Sequence, residues 1–247
     1  HPPPFQARLH EIQGERVTIR TEADAQRILQ DLEGASFAIS HIDQKEKRRS
    51  PSAPFITSRL QQDSARKLRF PAKKTMMLAQ RLYEGIAIGS EGQVGLITYM
   101  RTDSTRIAPE ALDDVRAYIQ DSFGQPYLPA QPNVYKTQKA AQEAHEAIRP
   151  TSVKRDPEIL RGHLEPDLYK LYKLIWNRFV SSQMTQGLDL VTQVDVKAKI
   201  YTFRASGTVE KFDGYRRVYR EEIEQPSEGT SSEEDSLLTT SLSLPDL

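Results

Sequence analysis

Cysteine is absent from all 247 residues, which excludes a disulfide scaffold and a thiolate metal site and fits a protein of a reducing compartment. No apolar run approaches the roughly 20 residues that a membrane-spanning helix needs. No secretory pattern opens the chain. A soluble, cytoplasmic protein with no membrane partner is therefore expected. Excess charge of one sign is missing too, since Lys plus Arg and Asp plus Glu both number 34. That balance averages two unlike parts. Residues 221–247 hold eight acids and no Lys or Arg, so residues 1–220 set 34 basic side chains against 26 acidic ones, a surplus of eight. Between Arg59 and Arg106 there are nine basic and four acidic residues. A basic stretch of this kind is the electrostatic footprint of phosphate binding, although proteins that bind no nucleic acid often carry as much. The length suits one large or two modest domains.

Secondary-structure signals run from strands to helices and back to strands, which makes the fold class α+β. Residues 5–20 and 36–48 carry short β-like runs on either side of a helix from Thr21 to Leu32, with Thr21 as N-cap, Asp24 three residues on, and Gly34 beyond the end. Pro51 and Pro54 break the chain. A helix capped by Thr57 or Ser58 is expected towards Leu68, another over Lys73–Ala87 stopped near Gly85 or Gly89, and a third from Pro109 to Phe123. Residues 124–136 read as loop. From Pro166 to Met184, the residues Leu168, Leu171, Tyr172, Ile175 and Phe179 follow helical spacing and mark a core stripe. Beyond Leu188 the period changes to two, as Leu190, Thr192, Val194, Val196 and Ala198 alternate with their neighbours.

Residues 95–106, Gly-Leu-Ile-Thr-Tyr-Met-Arg-Thr-Asp-Ser-Thr-Arg, carry the chemistry. Tyr99 ends an apolar run two residues before Arg101. A phenol, with a pKa of about 10, is a weak nucleophile at neutral pH and needs a nearby cation to share the charge of the group it attacks. In extended chain, residues i and i+2 point to one side, so Tyr99 and Arg101 can face one phosphate together, the guanidinium gripping its oxygens. The plain alternative is a half-buried strand tyrosine followed by a polar turn.

This string closely resembles the active-site signature of type IA DNA topoisomerases, the bacterial topoisomerase I branch in particular, whose nucleophilic tyrosine lies in a Tyr-Met-Arg-Thr-Asp-Ser context. Three more segments agree in order and spacing: Pro54 to Gln62, Thr75 to Gly85, and Glu143 to Thr151 with its Ala-His-Glu-Ala-Ile-Arg-Pro core. Arg59 departs from the pattern, where threonine is usual. Met100 fits topoisomerase I better than topoisomerase III, where proline is usual; reverse gyrase is a further near relative. The resemblance implies a β-rich arch, residues 1–57 and 186–247, interrupted by a helical domain, 58–185, that bears the tyrosine. An acidic flexible linker is expected near 225–240.

Transesterification is the implied reaction, with Tyr99 attacking a DNA backbone phosphorus and Arg101 orienting and stabilising it. DNA, preferably single-stranded, is the implied partner, bound by a monomer within the bacterial nucleoid. Thr102 and Asp103 are secondary DNA-facing candidates, with a capped turn as the equal alternative. His145 reads from its surroundings as a structural hydrogen-bonder and from the resemblance as a residue near the DNA backbone. Arg149 suits either a carboxylate or a phosphate. Tyr83, Tyr127 and Tyr135 are aromatic and could stack on unpaired bases, while Lys45–Arg49 reads as a solvated strand end. The family also needs an acidic Asp-x-Asp metal-binding domain and Mg²⁺, yet no Asp-x-Asp occurs here. The chain is thus expected to be a piece of a larger enzyme that holds no metal itself and is inactive alone. The competing reading is a non-catalytic module that binds single-stranded nucleic acid.

Overall fold

A computed structural model describes residues 5–135 and 146–220. Along the chain the elements are β1 (Arg8–Ile12), β2 (Glu15–Arg16), α1 (Glu22–Leu32), β3 (Ala38–Arg49), α2 (Thr57–Asp63), α3 (Ala72–Glu84), β4 (Ile86–Ala87), β5 (Gln93–Val94), α4 (Pro109–Phe123), α5 (Pro157–Leu160), α6 (Pro166–Ser182), β6 (Gly187–Ala198) and β7 (Tyr201–Phe212). A π-helical turn, Ser64–Leu68, follows α2. Two compact units result. Of the described residues, one unit joins 5–49 to 188–212, and the other joins 50–135 and 146–187 to 213–220. The α+β class read from the sequence is what the fold has. The expected linker near 225–240 lies outside the described residues.

In the β unit five strands form one sheet in the order β2-β1-β7-β6-β3. Strands β6 and β7 make a long antiparallel hairpin from Leu188↔Phe212 to Ala198↔Tyr201. Its tight turn places Lys199 at φ 53°, a left-handed conformation. Helix α1 begins as the sequence indicates: the Thr21 hydroxyl oxygen accepts from the Asp24 amide at 3.2 Å, which satisfies one of the amides that a helix start leaves open.

The helical unit is built on α6. All five residues of its predicted stripe are buried, together with Leu174, Trp176 and Val180. They meet Phe55, Leu60, Leu78, Leu82, Leu96, Ile97, Val115 and Ile119 in one apolar cluster. Two expectations shift by local physics. Helix α3 stops at Glu84, because Gly85 adopts φ 125°, and residues 86 and 87 pair with 94 and 93 as a small hairpin instead of continuing the helix. Thr57 does not cap α2; its hydroxyl is used across the unit, as described next. The unit begins at Ser50 because Pro51, Pro54 and Phe55 are buried within it.

Candidate active site around Tyr99

Among the described residues the Tyr99 segment belongs to no sheet and bends at Thr98, Met100 and Arg101; isolated bridges and hydrogen bonds from the three other signature segments hold it. Ile97 bridges to Pro150, and Phe55 bridges to Ile148. The Thr98 amide donates to the Arg149 carbonyl at 2.9 Å, and the Thr151 amide donates to the Leu96 carbonyl at 3.0 Å. The Thr98 hydroxyl donates to the Ala147 carbonyl at 2.7 Å and accepts from the Arg149 amide at 3.0 Å. From the helix side, the Leu96 amide donates to the Leu82 carbonyl at 2.7 Å. Gly95 makes this approach possible, since a Cβ there would lie 2.7 Å from the Tyr83 carbonyl oxygen.

Thr57 fastens the other end. Its amide donates to the Thr102 carbonyl at 2.9 Å. Its hydroxyl is shared between the Met100 carbonyl at 2.8 Å and the Thr102 carbonyl at 3.0 Å, and accepts from the Thr102 amide at 2.9 Å. Burial alternates along the clamped stretch. Met100, Thr102 and Ser104 are buried, at 1%, 8% and 2% exposure, while Tyr99 is 44% exposed and Arg101 and Asp103 are exposed too. Thr102 therefore occupies the turn position: its hydroxyl accepts from the Ser104 amide at 3.0 Å. Neither Arg101 nor Asp103 has an ion-pair partner among the described residues.

Arg149 has taken a carboxylate. Its Nε and Nη2 both donate to Glu146 Oε2, at 2.9 and 2.6 Å, and its Nη1 donates to the Pro150 carbonyl at 3.1 Å. His145 lies outside the described residues. Of the three tyrosines named as stacking candidates, Tyr127 donates to Asp213 at 2.8 Å and Tyr135 donates to the Pro51 and Ser182 carbonyls. Tyr83 alone of these stays exposed beside Tyr99. Along Lys45–Arg49, Lys45 pairs with Asp43, Glu46 with Lys211, and Arg49 with Asp189.

A buried charge network that no sequence motif marks joins α6 to the segment before α2. Arg178, on α6, donates from Nε to the Ala53 carbonyl at 2.7 Å and lies over the rings of Phe55 and Tyr219 at 5.1 and 5.2 Å. Its Nη1 is 3.6 Å from Asp63 Oδ2, to which the Tyr219 hydroxyl donates at 2.6 Å, and Arg66 donates to Asp63 Oδ1 at 2.9 Å. Burial pushes the Asp63 carboxyl upward, but the bonds from Tyr219 and Arg66 and the charge of Arg178 outweigh it and hold the group below its ordinary range. The network supports residues 53–57, hence the Thr57 clamp.

No group of three or more acidic or histidine side chains among the described residues is arranged to hold a cation. No helix among them is long and apolar enough to cross a membrane.

Known proteins resemble this chain over most of its length. The family described as DNA topoisomerase matches residues 5–244. The chain is 46% identical over 217 residues to DNA topoisomerase 1 of Rickettsia felis, covering 87% of this chain and 28% of that protein. It is 44% identical over 230 residues to DNA topoisomerase 1 of Rickettsia prowazekii, covering 91% and 30%. Full-length topoisomerase I from Thermotoga maritima superposes with a TM-score of 0.70 at 35% identity, covering 85% of this chain and 33% of that one. The chain is therefore of the DNA topoisomerase class. It belongs to the bacterial, type IA branch of the DNA topoisomerase family. It spans less than a third of the length of these curated relatives.

Proposed function

We propose that this chain supplies the nucleophile-bearing part of a type IA DNA topoisomerase that relaxes negative supercoils by cutting one DNA strand, passing a strand and resealing. The Tyr99 oxygen attacks a backbone phosphorus; the bond from phosphorus to the 3′ oxygen breaks and a 5′-phosphotyrosyl ester forms. The phenol gives up its proton and the departing 3′ oxygen takes one up. One ester replaces another, so resealing is the same step reversed and needs no nucleotide. Arg101 binds the phosphate oxygens and stabilises the charge that develops on them. Exposed Asp103 contributes on the DNA side, and Thr102 and Arg149, through their backbone bonds to Thr57 and Thr98, hold the segment in place. The single observation that supports this reading is the outward pairing of Tyr99 and Arg101 on a segment to which all three other signature segments are bonded.

The metal-binding acidic groups are assigned to the remainder of the polypeptide, so the chain alone is inactive with Mg²⁺. The preference for single strands, the monomeric state and a nucleoid location belong to the same proposal.

The test is adduct formation by the complete enzyme on oligonucleotides labelled at the 5′ or the 3′ end. Tyr99→Phe should fold and bind yet form no adduct, and Arg101→Ala should slow cleavage by roughly 10²- to 10³-fold. An adduct persisting in Tyr99→Phe would mean that Tyr99 is a structural residue. A chain that binds single strands without ever yielding an adduct in the complete enzyme would instead be a binding module.

A further inference from the structure

Tyr99 does not stand alone on its surface. Its ring centroid is 5.4 Å from that of Tyr83, with the planes at 64°, an edge-to-face pair. Tyr83 is 41% exposed on the last turn of α3. The backbone determines where that turn meets the Tyr99 segment. Leu96 bonds to the Leu82 carbonyl, Gly95 lets the chain approach the Tyr83 carbonyl, and Gly85 ends the helix one residue after Glu84. Ring contact is therefore imposed by three backbone features acting on adjacent residues.

An exposed tyrosine has three χ1 wells to visit. Attack on phosphorus requires the oxygen close to it and in line with the departing group. A neighbouring ring that favours one well raises the fraction of time the oxygen spends there. The Tyr83 hydroxyl has no hydrogen-bond partner among the described residues, so what it presents to Tyr99 is its ring.

We propose that Tyr83 is a positioning residue for the cleavage reaction, its ring holding the Tyr99 ring in the rotamer from which the phenol oxygen meets the phosphorus. This rests on the reading of Tyr99 as the nucleophile. The role differs from a base-stacking platform, which would act on DNA affinity, and from a proton carrier, which would need the Tyr83 hydroxyl.

The experiment uses the complete enzyme with Tyr83→Leu, Tyr83→Ala and Tyr83→Phe, alongside Tyr99→Phe. Single-turnover adduct formation is measured at saturating single-stranded oligonucleotide, and affinity is measured separately. Tyr83→Leu and Tyr83→Ala should slow adduct formation about three- to tenfold, the size of one aromatic pair, with affinity changed less than about twofold. Tyr83→Phe should restore the parental rate. If Tyr83→Ala melts early, Tyr83→Leu, which keeps an apolar side chain, decides. Parental rates in Tyr83→Leu, weakened affinity at an unchanged rate, or a Tyr83→Phe as slow as Tyr83→Leu would each overturn the inference. Loss of the adduct in Tyr99→Phe with a parental Tyr83→Leu overturns the positioning role alone. An adduct persisting in Tyr99→Phe overturns the nucleophile and this inference with it.

Discussion

Replacing Thr57 by valine tests the clamp on the nucleophile segment, because valine keeps the shape of threonine and removes only the hydroxyl. That hydroxyl has one proton, shared between the Met100 and Thr102 carbonyls, and it accepts one bond from the Thr102 amide. About two hydrogen bonds are lost, each with a net contribution of about 0.5–1.5 kcal/mol, and two polar groups are left without a partner. The backbone bond from the Thr57 amide to the Thr102 carbonyl survives and limits the damage. A loss of about 2 kcal/mol follows, which lowers the melting temperature by about 4–8 °C for a unit of this size. The effect on chemistry should be larger in proportion, since a small displacement of a nucleophile slows reaction by about 10- to 100-fold. Thermal melts and single-turnover adduct formation on Thr57→Val and Thr57→Ser make the measurement. Serine retains the hydroxyl and should recover most of both losses. A valine variant with parental melting and cleavage, or a serine variant no better than valine, would refute the clamp.

Two other outcomes follow from charge. Asp63→Ala leaves Arg178 buried without its carboxylate and should cost about 3 kcal/mol; denaturant melts measure it. The folded Asp63 carboxyl is held below its ordinary value of 3.8, so its contribution is complete above that pH and fades as pH falls through the lower folded value. The stability of the parent should therefore drop in that acid window more steeply than that of Asp63→Asn, and equal slopes would count against the network. Single-stranded DNA should bind the isolated chain weakly, with affinity falling steeply as salt rises; fluorescence titrations insensitive to salt would remove phosphate charge as the basis of binding.

Where local chemistry decides structure, the sequence was readable. The Thr21 cap, the Pro109 start of α4 and the stripe of α6 depend on residues within one or two turns of each other, and each forms as the pattern indicates. Thr57 was misread because a threonine beside a helix start reads as a cap, whereas its hydroxyl finds partners 43 and 45 residues away. The i, i+2 spacing of Tyr99 and Arg101 matches their common exposure, and Thr102, for which a capped turn is the equal alternative to facing DNA, is buried with its hydroxyl on the Ser104 amide. Arg149 reads equally as a partner for a carboxylate or a phosphate, and the carboxylate it takes is Glu146, only three residues away in the chain. Tyr83, Tyr127 and Tyr135 are indistinguishable as letters; what separates them is which hydroxyl meets an acceptor in the fold. Gly95, directly before the apolar run, was the one sequence sign that two backbones come close there.

The inward and outward alternation from Tyr99 to Ser104 also sets how this stretch can vary in length. Inserting or deleting one residue between the Thr98 anchor and the Thr57 anchor would turn the reactive side chains into the apolar cluster and bring Met100 and Thr102 to the surface. Among the described residues no neighbouring strand is paired with the segment to absorb the slip as a bulge, since isolated bridges hold it. Changes in length are instead admissible in the turn over Gly89–Glu91, which joins β4 to β5 and whose glycines have open space around them or only a side chain nearby. Among natural or engineered variants, gaps should thus gather in that turn, and the six residues after Thr98 should behave as a ruler of fixed length.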